Sequence, residues 1–234
     1  MRLPCKDIKQ NLPTNFTLEI KWLSNLKHTL NRNDPQLIQK YNNQILDQLQ
    51  RGFIEPVHDP STYQGVMHYI AHFPIFKDSH STAMRIVYDA SAKILPKALS
   101  LNDCLHSGPN IMQELQTMLL NFSSFHSGHW KSLLTNRDAT RFLCFKDINK
   151  FINDTNNLIV YKFCCVLFSA SPFPYLLNAT IQYHLNQQGD WFSENIQNSI
   201  YMDNVVTGTD TKQETLEYYF SSRNYFKKAG LNLR

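Results

Sequence analysis

The sequence lacks the features that most quickly assign a small protein to a class. Its five cysteines, Cys5, Cys104, Cys144, Cys164 and Cys165, contain no Cys-x-x-Cys spacing. The count is odd and two are adjacent, so neither a disulfide framework nor a zinc site is suggested, and a reducing, intracellular compartment is expected. No apolar run suits a bilayer: the most apolar stretch, 158–170, is too short and contains Lys162. Arg2, Lys6 and Lys9 are not followed by an apolar segment of the length a signal peptide needs, and no membrane role is expected. There is no internal repeat and no low-complexity tract.

What is present is a globular composition. Hydrophobic residues make up 42% and aromatic residues 12%, and 234 residues can bury a substantial core in one or two subdomains. The formal charge is +4. Residues 1–51 carry eight Lys/Arg against four Asp/Glu, and residues 52–234 carry fifteen of each, so the excess sits at the N-terminal end. Such an excess suits contact with a phosphate backbone; a solvated helix face explains it equally well.

Local signals give an order of elements. Asp34-Pro35 opens a helix as N-cap and first helical position. Leu37, Ile38, Tyr41, Ile45, Leu46 and Leu49 continue it at helical spacing, and Gly52 closes it. Residues 66–76 and 84–89 read as strands joined by the polar loop 77–82. Gly108-Pro109 opens a helix through about Phe122. Residues 140–148 and 158–168 read as a strand pair around the Asn-rich turn 153–157, with Cys164 and Cys165 facing opposite sides. A helix over about 173–187 follows, and Thr211-x-x-Glu214 is a capping box for a last helix ending near Gly230. Mixed strands and helices in this order predict an α+β fold, an antiparallel sheet packed on helices.

Ile200-Tyr201-Met202-Asp203-Asn204-Val205 places a carboxylate at a tight turn between two short apolar runs. Taken alone, an ordinary hairpin with Asx turn chemistry is the simpler reading. The stretch resembles the Tyr-x-Asp-Asp box of reverse transcriptases, with Asn204 at the second Asp. Other stretches resemble the same family in the same order, and specifically its Pao/BEL group of LTR retrotransposons. They are Met84-Arg85-Ile86-Val87-Tyr88-Asp89-Ala90-Ser91-Ala92-Lys93, Ser100-Leu101-Asn102-Asp103-Cys104-Leu105, Arg137-Asp138-Ala139-Thr140-Arg141-Phe142, Leu177-Asn178-Ala179-Thr180-Ile181 and Val205-Val206-Thr207-Gly208-Thr209-Asp210-Thr211. Each is weak; their colinearity over about Arg2 to Arg234 carries the resemblance.

The resemblance implies a fingers-like part over 1–122 with an N-terminal extension, and a palm-like part over 123–234. The family's thumb would lie beyond Arg234 and is absent from this stretch. The implied reaction is RNA-directed DNA synthesis: Mg²⁺-dependent addition of deoxynucleotides (dNTP) to a primer end on an RNA or DNA template. Asp203 would be the catalytic carboxylate and metal ligand, with Asn204 offering a neutral oxygen beside it. Arg85 and Lys77 would meet the triphosphate, a role suited to the forked guanidinium of Arg85. The plainer reading of each is a solvent-facing strand-end charge. Residues 166–177 resemble the Pro-Phe-Gly-x-x-Ser-Ser-Pro block, with Leu167 for Pro, Ser169 for Gly and Phe173 for Ser. Phe168 and Ser169 would approach the nucleotide, although an apolar strand residue such as Phe168 is more often core.

One departure decides the functional reading. The second carboxylate should come from a strand between the helix ending near Phe122 and Arg137. Residues 123–136 contain no Asp or Glu and are shorter than the family's interval by roughly a hairpin, so the first catalytic hairpin is expected to be deleted. Asp138 and Asp147 are the nearest acids; the first belongs to a segment that follows the site, and the second reads as a turn carboxylate. Two Mg²⁺ ions need converging carboxylates, and the loss of one removes transition-state stabilisation on the order of several kcal/mol. The expectation is an inactive polymerase homologue. A non-catalytic RNA/DNA-binding remnant is the alternative, as is an incomplete gene prediction from which the missing hairpin was spliced out. His68, His72, His126 and His129 supply no evident third metal ligand.

Overall fold

The computed structural model describes residues 3–63, 65–76, 84–109, 124–126, 137–150, 155–201, 204–206 and 208–228. They fall into two compact units, Met1–His106 with Lys131–Ser171, and Ser107–Trp130 with Pro172–Arg234. Each unit is therefore built from two separate chain segments, whereas the fingers-like and palm-like parts read from the sequence are contiguous.

In the first unit, α1 (Phe16–Asn33) and α2 (Pro35–Gln50) are consecutive helices. The sequence reading did not include α1. It starts after Asn15, which is left-handed at φ 58° and caps nothing with its side chain. Glu19, Leu23, Leu26, Lys27 and Leu30 form its buried stripe at helical spacing. The second helix forms as its caps dictate: the Asp34 carboxylate accepts from the Gln36 amide at 2.8 Å, and Pro35 stands in the first turn. Gly52, at φ 68°, ends it, with its amide bonded to the Leu49 carbonyl at 2.9 Å. Ile38, Tyr41 and Ile45 are buried, whereas Leu46, which shares their spacing, is 46% exposed.

Strands β1 (Ile54–Pro56), β2 (Ala71–Phe76) and β3 (Met84–Asp89) follow, and β5 (Arg141–Phe145) and β6 (Leu158–Phe163) complete this unit. The sheet order is β1-β6-β5, antiparallel, with Ile54 opposite Phe163 and Phe142 opposite Tyr161. The β2–β3 pair is a second, two-stranded sheet in which Ile75 faces Arg85 in register. The expected strands at 66–76 and 158–168 are thus shorter than read. Cys164 and Cys165 lie in a bend beyond β6 rather than on opposite sides of a strand, because the Cys164 amide turns to the Phe53 carbonyl at 2.8 Å. All five residues of β5 are buried, and Phe142 packs edge-on to Tyr88 and beside Tyr161 and Phe163. The N-terminal residues join the same core through Leu3 and Leu12, beside Leu101, Cys104 and Leu105, and the Lys6 amide donates to the Cys104 carbonyl and the His106 amide to the Pro4 carbonyl, both at 2.8 Å.

The second unit contains β4 (Ser124–His126), α3 (Phe173–Gln188), α4 (Trp191–Asn198), β7 (Ile200–Tyr201), β8 (Asn204–Val206) and α5 (Lys212–Lys228). Gly189, at φ 64°, ends α3. Asp190 then starts α4, a helix absent from the sequence reading, by accepting from the Ser193 amide at 2.7 Å while the Ser193 hydroxyl accepts from the Asp190 amide at 3.2 Å. The expected capping box at Thr211 is present: the Glu214 amide donates to the Thr211 hydroxyl at 3.2 Å, and the Thr211 amide to the Glu214 carboxylate at 3.1 Å. Leu177, Ile181, Leu185, Ile196, Ile200, Val205 and Phe226 form the core. The expected helix beyond Pro109, over 110–122, and the loop over 77–82 lie outside the described residues. No helix among the described residues is long and apolar enough to cross a membrane.

Candidate functional site

The hairpin that carries the Asp203 box supplies two strands of a three-stranded antiparallel sheet of order β4-β8-β7, with β8 at its centre. Tyr201 pairs with Asn204 and Ile200 with Val205 on one side of β8. On its other side His126 pairs with Asn204, Phe125 with Val205 and Ser124 with Val206. Asn204 therefore stands in register between Tyr201 and His126. Met202 and Asp203, the two residues between the paired Tyr201 and Asn204, lie outside the described residues, as does Lys77.

Strand β4 falls inside the acid-free interval 123–136 and brings Ser124, Phe125 and His126, not a carboxylate, beside the hairpin. Among the described residues, no group of three or more His, Cys, Asp or Glu is placed to hold a metal ion. The two acids nearest in sequence are engaged elsewhere. Asp138 lies in a 3-10 turn of the first unit, 7% exposed, and accepts from Arg141 Nε at 3.0 Å and Nη2 at 2.8 Å. Asp147 accepts from the Asn149 amide at 2.9 Å, and the Asn157 side chain bonds both its amide and its carbonyl, each at 2.9 Å. That is the turn role its sequence context suggested.

Arg85 lies in β3, exposed, and makes no ion pair among the described residues. Asp89, four residues on, accepts from the Ser91 amide at 2.9 Å and so organises the turn after the strand. Phe168 is 54% exposed, so it is a surface aromatic and not a core residue. Ser169 sits in a turn in which the Ala170 amide donates to the Leu167 carbonyl at 3.1 Å. Serine in place of glycine carries no left-handed strain here, since Asn15 is the only non-glycine with positive φ among the described residues. The Ser169 hydroxyl is buried without a hydrogen bond among the described residues.

Two clusters in the first unit were not read from the sequence. One is buried: His72 Nε2 donates to the Leu143 carbonyl at 2.7 Å, which leaves Nδ1 as acceptor for the Tyr41 hydroxyl. Glu19 Oε1 lies 3.3 Å from His72 Nε2 and 3.5 Å from the Leu143 amide. Burial holds His72 at a pKa of about 4 and raises Glu19 well above the ordinary carboxylate range. His68 is also a core residue, with Nδ1 2.6 Å from the Pro13 carbonyl. The other cluster is partly exposed. Arg137 pairs with Glu55 at 2.6 Å and with the Cys164 sulfur at 2.9 Å, and Lys162 lies 3.6 Å from Glu55. Burial pushes the Glu55 carboxyl up, but the Arg137 hydrogen bond and charge outweigh it and hold it below its ordinary value.

No protein-family model and no curated protein matches the sequence. Among solved structures, the chain is similar to a foamy viral protease-reverse transcriptase in complex with double-stranded DNA, with a TM-score of 0.54 at 16% identity. The match covers 80% of this chain and 28% of that one, so the chain spans little more than a quarter of that protein's length. The fold is thus α+β and reverse-transcriptase-like.

Proposed function

We propose that the chain is a reverse transcriptase-like domain of a Pao/BEL-type retrotransposon polyprotein, working inside the cell, in which the polymerase step is lost and binding of an RNA or DNA primer–template remains. In this reading Arg85 and Lys77 meet phosphate, and Phe168 and Ser169 border the nucleotide path. The observation that carries the loss is the register of β8. The strand paired with β8 is Ser124, Phe125 and His126, and the interval 123–136 to which it belongs holds no Asp or Glu that could serve as a second carboxylate. Asp203 with the neutral amide of Asn204 does not compose the donor set of two Mg²⁺ ions beside a polyanion. The residues present therefore do not fit the metal pair that the resemblance implies.

Primer extension on poly(rA)/oligo(dT) with Mg²⁺ or Mn²⁺ tests the loss. No extension is expected, before or after Asn204→Asp. Extension that Asp203→Ala abolishes would overturn it. Retained binding is tested separately: primer–template affinity should persist in EDTA and fall steeply with salt, because phosphate contacts release counterions.

A further inference from the structure

Asn102 joins three stretches of the first unit that are far apart in sequence. Its side-chain amide donates to the Ser169 carbonyl and to the Ser91 hydroxyl, both at 2.8 Å. Its side-chain oxygen accepts from the Ser171 amide at 2.8 Å, and its own amide donates to the Ala90 carbonyl at 3.0 Å. The primary amide thus holds the C-terminal half of the 167–171 turn at Ser169 and Ser171, and no other side chain type offers an acceptor and two donors at that length. The turn that it grips displays Phe168 at 54% exposure, directly before the gripped Ser169 carbonyl. The same residue ties the turn to the segment that follows β3, the strand of the exposed Arg85. An exposed ring on a turn held by side-chain hydrogen bonds is the chemistry of a base-stacking platform.

We propose that Asn102 is a positioning residue that fixes the 167–171 turn so that Phe168 stacks on an unpaired base of single-stranded nucleic acid. This rests on the nucleic-acid reading above and names the contact through which it acts.

A double-mutant cycle tests it, with a fluorescein-labelled oligodeoxythymidylate as probe and anisotropy as readout. Phe168→Ala and Asn102→Ala should each weaken binding about ten-fold, and the double variant should be no weaker than either single variant. A purely structural Asn102 would lower the melting temperature without coupling to Phe168; multiplying effects, or a folded Asn102→Ala that binds like the parent, would overturn the proposal. Asn102→Asp covers the case in which Asn102→Ala does not fold. It keeps the acceptor for Ser171 and removes the donor to Ser169, so it should lose the Phe168 contribution; parental affinity would overturn the proposal. Hydrogen exchange of the Ser171 amide reads the turn without ligand. It should be slow in the parent and fast in Asn102→Ala, and unchanged exchange would remove the positioning role. A parent that binds no oligonucleotide ends both the stacking contact and the nucleic-acid reading, and the exchange rate then still shows whether Asn102 holds the turn.

Discussion

Glu19 and His72 face each other in the interior of the first unit, Oε1 to Nε2 at 3.3 Å, each side chain 1% exposed. They are not an ion pair. Burial disfavours the charged form of both, so the carboxyl is raised and the imidazole lowered to about 4.

The pH dependence follows from these two directions. The folded state holds the Glu19 proton more tightly than the unfolded state, so the Glu19 contribution is present below the ordinary value of 4.5 and is lost as pH rises through the folded pKa. His72 acts oppositely: its stability is full above 6.5 and is lost as pH falls toward about 4. Urea unfolding across pH 4–8 should therefore show loss on both flanks. Glu19→Gln, which keeps the shape without the charge, should flatten the alkaline flank and leave the acid flank. An unchanged alkaline slope in that variant would show that Glu19 ionises freely in the fold.

Arg141 is fully buried, and every arm of its guanidinium is used. Nη1 donates to the Pro60 carbonyl and Nη2 to the Thr62 carbonyl, both at 2.7 Å, and Nε donates to Asp138 at 3.0 Å. Arg141→Ala removes the nearer of the two cations on Asp138, leaving Lys162 at 3.9 Å, and takes the donors from the Pro60 and Thr62 carbonyls. It should destabilise by about 3–5 kcal/mol. Arg141→Lys keeps the charge but not the fork, and should recover only part of that loss. Denaturant midpoints for the two variants and for Asp138→Asn check the order, with Asp138→Asn the mildest.

The sequence was legible where structure is made by neighbours along the chain. Asp34, Pro35 and Gly52 delimit α2 because caps act within one turn, and Thr211 and Glu214 do the same for α5. Helix α1 escaped because Asn15 leaves no capping signature and because Glu19 and Lys27 interrupt its apolar stripe. Both are charged residue types made tolerable by partners over a hundred residues away, Leu143 and Lys150. The same limit applied at the site. The hairpin strands flanking Met202 and Asp203 are legible as short apolar runs on either side of a polar turn, and the missing acid as the absence of Asp and Glu from 123–136. Asn102 could not, since its partners stand at 91, 169 and 171; its only signal was its place in Ser100-Leu101-Asn102-Asp103. Colinear resemblance found the right fold; the Asp138–Arg141 pair spans only three residues, but its burial is set by the distant Pro60 and Thr62 carbonyls, which leave no local pattern.

Gly108 was read only as the residue that opens a helix. It has φ +82°, and a Cβ there would meet the Tyr175 ring at 2.4 Å. Gly108→Ala should destabilise the second unit by more than the roughly 1 kcal/mol of the left-handed conformation alone, because the ring must also move. Thermal unfolding of Gly108→Ala beside Gly108→Ala with Tyr175→Ala separates the two effects. If the second change restores nothing, the strain is all in the backbone.

Arg85 distinguishes a nucleic-acid surface from an ordinary solvated strand. It is exposed, opposite Ile75 in the β2–β3 pair, and has no ion-pair partner among the described residues to hold it for a structural reason. If it meets a phosphate, Arg85→Ala should weaken primer–template binding on all sequences alike and reduce the slope of log affinity against log salt by about one. Folding stability should stay within about 0.5 kcal/mol of the parent, as for a surface substitution. Salt titrations of parent and variant on the same duplex measure both. Equal slopes would make Arg85 a solvated charge and would leave the phosphate contacts to be sought among the N-terminal lysines, where the chain's net positive charge is concentrated.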